Sequence, residues 1–234
     1  MKKHTLFFLI VLTAGLTARA STFTYSANNL FAPIPDDDFN GYQNTLTVSS
    51  FPGNLSDVNV TLNISGGFNG DLYGYLYHNN TTAILLNRVG RTSSSSVGYP
   101  DAGFGPDGSA NSFTFDDQAA HDVHLYGTFL HTLNGSGQLT GQWQPDGRNL
   151  DPLSSGSAFD AATRSNLLGG FNGADPNGSW TLYLADVSSG GESTLVSWGL
   201  QITTVPEPTG LTLICVGLTS GYFWQRARRK PNLR

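Results

Sequence analysis

Three groups of residues in this chain have the types and spacing to do chemistry. The first is acidic. Asp36-Asp37-Asp38 sets three carboxylates side by side, and adjacent carboxylates repel one another unless water or a cation neutralises them. With Asp71, Asp116 and Asp117 they form a candidate oxygen-ligand set for Ca2+, which takes short carboxylates on loops. Asp101 and Asp107 could join Asp116 and Asp117 on one cation. The same residues are what turns ask for, since Asp bonds its own backbone two residues on, and both readings stand. The second group is aromatic. Tyr73, Tyr75 and Tyr77 alternate with Leu72, Gly74 and Leu76, so a strand would carry them on one face. Beside Asn and Asp, such a face can stack on sugar rings; the alternative is ordinary outer-face packing. The third group is histidine. His121 and His124 flank Asp122, and His131 lies nearby. There is no H-E-x-x-H glutamate and no G-x-S-x-G, so these histidines read as solvated loop residues and the chain as a non-enzyme.

Charge narrows the partners. Over residues 21–204 the basic residues are Arg88, Arg91, Arg148 and Arg164, against fifteen Asp and Glu192. Such a domain repels phosphate backbones, so nucleic acid is excluded as a partner. Cys215 is the single cysteine, so no intrachain disulfide and no multi-cysteine zinc site exists.

The elements that must position these groups are strands. Val58, Val60, Leu62 and Ile64 alternate with Asn59, Thr61 and Asn63. The stretch 70–77 reads as the hairpin partner of that strand. Trp180, Leu182 and Leu184 alternate with Thr181, Tyr183 and Ala185 after the turn residues Asp175-Pro176-Asn177-Gly178. Beyond a second turn at 188–191, Val196, Trp198, Leu200 and Ile202 make an apolar face. Shorter strands are expected at 22–26, from Leu46-Thr47-Val48 onward, at 81–87 and at 113–115, with a long Gly/Ser-rich loop over 88–112. The expected fold is an all-β, jelly-roll-like antiparallel sandwich of about eight or nine strands. Its core holds Val58, Val60, Leu62, Ile64, Leu72, Leu76, Trp180, Leu182, Leu184, Trp198 and Leu200.

Both ends read as targeting segments. Lys2-Lys3, the apolar run 6–12 and Ala18-Arg19-Ala20 make a signal peptide over residues 1–20, with cleavage expected after Ala20. The domain occupies 21–204. The tail, 205–234, runs from Pro206-Glu207-Pro208 through a short hydrophobic segment to Arg226, Arg228, Arg229 and Lys230, a basic cluster that stays cytoplasmic.

Two resemblances follow from these residues. Phe171, Gly173, Gly178, Trp180, Leu182, Asp186, Leu195, Trp198, Leu200 and Ile202 match the end of the P domain (Homo B) of kexin- and furin-like proprotein convertases. Asp57, Val58, Val60, Leu62, Ile64, Gly70, Asp71, Leu72 and Leu76 match its "D-V-x-V-x-L-x-I, turn, G-D-L-x-x-x-L" pairing, and Ile34-Pro35-Asp36 its opening. The chain departs from the family where Ser65-Gly66-Gly67 replaces a frequent His, and most of all over 120–141. The tail resembles the PEP-CTERM sorting signal, which implies processing by an exosortase-type membrane protease in a Gram-negative bacterium that makes exopolysaccharide. The resemblances imply a non-enzymatic exported protein, tethered transiently at the inner membrane and then placed at the cell surface or in the matrix. Its partners there would be exopolysaccharide or another surface protein. The alternative is a carbohydrate-binding module with a calcium-supported loop.

Overall fold

Period-two alternation becomes two facing sheets. The computed structural model describes residues 20–106 and 113–205, and 20–205 form one compact unit. The chain runs through β1 (Ser21–Ala27), β2 (Ala32–Ile34), β3 (Tyr42–Val48), β4 (Asn54–Gly66), β5 (Leu72–His78), β6 (Thr81–Asn87), β7 (Gly103–Phe104), β8 (Phe113–Phe115), β9 (Gln142–Trp143), β10 (Gly178–Asp186) and β11 (Ser193–Val205). A short helix, α1 (Gly156–Ala161), interrupts the connection from β9 to β10. No helix among the described residues is long and apolar enough to cross a membrane.

The larger sheet has the order β1-β11-β4-β8-β9, with β2 on β11 and β7 on β4; the smaller is β3-β10-β5-β6. Setting aside the short β2, β7 and β9, the remaining strands pair first with last, second with seventh, third with sixth and fourth with fifth, all antiparallel. A long hairpin rolled up so that its pairs alternate between two sheets gives this order, so the fold is an all-β jelly-roll sandwich. The parallel β8–β9 pair is the exception.

All eleven residues assigned to the core from sequence are buried. Three local expectations are corrected. First, β5 does not pair with β4. The strands lie in opposite sheets, β4 beside β11 and β8, and β5 beside β10 and β6. Their apolar faces meet across the core. Gly66 and Gly67, both at positive φ, make the crossing; a Cβ on Gly66 would sit 2.6 Å from the Glu192 carbonyl oxygen. Second, Val196 does not hold its place in the core face. The β11–β4 register slips between Leu195 and Ser197, so Leu195 points inward at 0% exposure. The slip is a β-bulge, which shifts alternation by one residue. Third, Leu46-Thr47-Val48 closes a strand that begins at Tyr42.

Trp198 is 2% exposed, and its indole Nε1 donates to Asn44 Oδ1 on β3 in the opposite sheet at 2.7 Å. Trp198→Ala therefore removes a large buried ring and leaves Asn44 without its donor. The expected loss is about 3–5 kcal/mol, read as a large fall in melting temperature. An unchanged melting temperature would remove Trp198 from the core.

Candidate functional site: a tyrosine groove on the smaller sheet

The smaller sheet has one face on the core and one outside, so alternate residues of β5 must point outward. Tyr73, Tyr75 and Tyr77 do so while Leu72, Gly74 and Leu76 are buried. Pairing with β10 puts Tyr183 opposite Tyr75 and Thr181 opposite Tyr77. The three tyrosines then differ. Tyr75 stacks on Tyr183 with ring centres 4.7 Å apart, and Tyr73 meets Tyr75 edge-on at 6.0 Å. Burial, with Tyr75 and Tyr183 beside it, pushes the Tyr73 phenol up to about 12. Tyr183 is held from below, its hydroxyl donating to the Phe39 carbonyl. Tyr73, Tyr75 and Tyr183 thus form a packed outer cluster. Tyr77 is 40% exposed, and its hydroxyl donates to Asn80 Oδ1 at 2.9 Å, which fixes the ring while leaving it open. Around it Gln43, Thr82, Asn149, Asn166 and Thr181 complete a groove of about 670 Å³. Every lining side chain is uncharged, and the chemistry offered is amide, hydroxyl and phenol beside an aromatic ring.

The candidate calcium ligands separate into local arrangements. Both oxygens of Asp36 accept from the Gly190 N–H, at 3.1 and 3.2 Å. Asp37 is exposed and sits at φ 52°. Asp38 accepts from the backbone and side chain of Asn40, both at 2.8 Å. Asp116 accepts from Gln118 N at 2.7 Å, and Asp117 from Leu168 N and Gly169 N at 3.2 and 2.5 Å. Asp101 accepts from the Tyr126 hydroxyl at 2.6 Å. The Asp38 and Asp116 bonds are turn bonds and those of Asp117 cap the start of the 168–171 turn, while Asp36 and Asp101 bond groups far away in sequence. Asp71 is 7% exposed and faces Arg88 at 3.4 Å. Among the described residues no three His, Cys, Asp or Glu side chains group as a metal site. Asp107, Pro206, Glu207, Pro208, Arg226, Arg228, Arg229, Lys230 and all but Ala20 of the signal segment lie outside the described residues.

A buried ionic knot, with no signature in residue spacing, lies between β8 and β10. His124 is not solvated: it is 1% exposed, with Nδ1 at 2.7 Å from Asp146 Oδ2 and Nε2 at 3.0 Å from the Arg91 carbonyl. Arg148 bridges Asp122 at 2.8 Å and Asp146 at 3.2 Å, and Arg164 reaches Asp122 at 3.4 Å. Both ring nitrogens of His124 are occupied, so it has no hand free for a nucleophile. The knot pins the segment between β8 and β10, where regular strand pairing is sparse. The available signal was composition: a few arginines stand among many acids, and two of them, Arg148 and Arg164, carry the knot. His121 is exposed and stacks on Phe129 at 3.9 Å, and His131 Nδ1 sits 2.9 Å from the Phe129 carbonyl.

No family model and no curated protein matches this sequence. Among solved structures, the serine protease of Aeromonas sobria in complex with the chaperone ORF2 is similar at 16% identity and a TM-score of 0.43. A second structure of the serine protease of Aeromonas sobria is similar at 14% identity and a TM-score of 0.43. Each likeness covers 80% of this chain, which spans 27% of the protease chain.

Asp186, at the end of β10, is 0% exposed and its Oδ2 has no hydrogen-bond partner. Burial, then Asp71 and Asp36 nearby, push its carboxyl up to about 7, against the pull of the Ser188 N–H and Arg88. A carboxyl raised in the folded state binds its proton more tightly folded than unfolded. Its stabilising contribution is complete below about pH 4 and is lost as pH rises toward about 7. Asp186→Asn mimics the protonated form. It should raise the melting temperature relative to wild type at about pH 8 and much less at about pH 4. A difference independent of pH would contradict the assignment.

Proposed function

We propose that this chain is a non-enzymatic exported protein of the cell surface or matrix, whose P-domain-like sandwich binds carbohydrate in the tyrosine groove of its smaller sheet. The groove carries the carbohydrate part of the reading. An open, fixed tyrosine ring offers a face for the C–H side of a sugar, and Asn80, Asn149, Asn166 and Gln43 surround it with hydrogen-bonding amides. The absence of lysine and arginine from the lining fits a neutral sugar. Binding of this kind requires no metal.

Export and sorting rest on the sequence. The segment 1–20 has the charged, apolar and small-residue order of a signal peptide. The tail has the order of a PEP-CTERM signal, which makes an exosortase-type protease its processing partner. Exopolysaccharide is then the carbohydrate within reach of a protein so placed. The non-enzymatic reading is supported by His124, whose two nitrogens are spoken for inside the knot.

Tyr77 is the residue that separates binding from packing. Tyr77→Ala should weaken neutral-oligosaccharide binding at this groove about tenfold, the scale of one lost stacking contact, while leaving the melting temperature almost unchanged. Tyr75→Ala should weaken binding and lower the melting temperature together, because Tyr75 also supports Tyr183. Calorimetric titration with cello-, manno- and galacto-oligosaccharides checks both. Equal binding by wild type and Tyr77→Ala would refute the groove's role.

A further inference from the structure

The edges of the two sheets are not alike. At one edge of the larger sheet β9 is two residues long, and the segment beside it takes up the edge: Gln144 N donates to the His121 carbonyl and Val123 N to the Gln144 carbonyl. In the smaller sheet β6 is taken up in the same way. Ile84 N donates to the Asn166 carbonyl, and Asp146 N and Gly147 N donate to the Leu85 and Ile84 carbonyls. The other two edges are open. β1 pairs with β11 alone along its seven residues, and β3 pairs with β10 alone; among the described residues no backbone group bonds the outer side of either.

Native sheets blunt an open edge with charge, proline or a bulge, because its free N–H and C=O groups are a template for another strand. β1 carries none of these. Ser21-Thr22-Phe23-Thr24-Tyr25-Ser26-Ala27 pairs with β11 without a register shift and holds no Asp, Glu, Lys, Arg or Pro, in a domain where acids far outnumber arginines. Its first four residues are exposed. Phe23 meets Phe51 edge-on at 4.2 Å and leaves 40% of its surface in water, an apolar strip along the open edge.

An edge of this kind fits an extended strand, and the sequence of β1 says which one. Set two copies of β1 antiparallel with the two-fold axis at Thr24. Thr24 then faces Thr24 of the second copy, Phe23 faces Tyr25, and Thr22 faces Ser26. Aromatic meets aromatic and hydroxyl meets hydroxyl, which are favoured cross-strand pairs, and no like charges oppose. The same operation on β3 about Thr45 sets Asn44 against Leu46, and Asn44 is already committed to Trp198. We propose that two copies of this chain associate through their β1 edges, joining their larger sheets into one. The two-fold axis of an antiparallel strand pair is normal to the sheet, so both smaller sheets lie on the same side of the joined sheet. On the carbohydrate reading of the tyrosine groove, the dimer turns two such grooves the same way and can hold one glycan surface at two points. The edge pairing itself does not depend on that reading.

The test is disulfide trapping in the full chain, in detergent, with Cys215→Ser so that each introduced cysteine is the only one. Directly opposed residues of an antiparallel pair have Cα atoms about 4.5–5.5 Å apart, within the reach of a disulfide. Thr24→Cys should therefore oxidise to a covalent dimer on a non-reducing gel. Thr22→Cys alone should not, because its two copies would stand about 14 Å apart along the strands. Thr22→Cys mixed with Ser26→Cys should cross-link again. All three positions are exposed, so each variant should keep the wild-type melting temperature. A Thr24→Cys chain that stays monomeric, or cross-links no more than Thr22→Cys, would overturn the edge pairing. So would cross-linking of Thr45→Cys in place of Thr24→Cys. A Thr24→Cys dimer that binds no neutral oligosaccharide would keep the pairing and remove the groove.

Discussion

The structure depends on the contact between two inward apolar faces, and Trp198 shows why that contact is specific. Its ring fills the space between the sheets, while its one polar atom must find a donor's partner there. Asn44 of the opposite sheet supplies it. Trp180 solves the same problem within its own neighbourhood, donating to the Pro176 carbonyl at 2.9 Å and stacking on His78 at 3.9 Å. Large rings supply much of the buried area. Their nitrogens set which strands face each other, because an indole N–H left unpaired in the core is costly.

Once the inner faces are committed to the core, the outer faces are free to serve function, and they differ in kind. The smaller sheet turns a tyrosine cluster outward, with one ring open. The larger sheet turns out hydroxyls and amides, flanked by a long connection. That connection has little regular pairing, and the His124–Asp146–Arg148–Asp122 knot holds its base in place. Buried ion pairs are weak evidence for stability, since desolvation offsets their attraction. Their geometry is directional, though, and this suits a segment that has few strand partners to keep it in register.

The sequence was most legible where alternation governs. The faces of β4, β5 and β10 follow directly from period two, as does the outward set Tyr73, Tyr75 and Tyr77. Alternation says which face is buried and nothing about which sheet a strand joins, which is why β4 and β5 read as a hairpin and turn out to face each other across the core. The bulge at Val196 was illegible for a related reason: one inserted residue inverts the pattern locally, and the flanking Leu195 is equally apolar. Asn59 looked like an ordinary outward residue of β4, yet it is 9% exposed and bonds Gln201 of the neighbouring strand β11. The carboxylates suggested a cation or turns; Asp38 and Asp116 make turn bonds, whereas Asp36 holds a backbone N–H far away in sequence, which spacing alone does not show. His124 looked solvated because its partners Asp146 and Arg91 are long-range.

The proposed delivery of the sandwich to the outside of the cell is tested by the intact mass of the native protein together with fractionation of the cell. The expected species lacks residues 1–20 and everything beyond about Pro208 and is recovered with the cell surface or the extracellular matrix. A full-length mass recovered from the cytoplasm would contradict it.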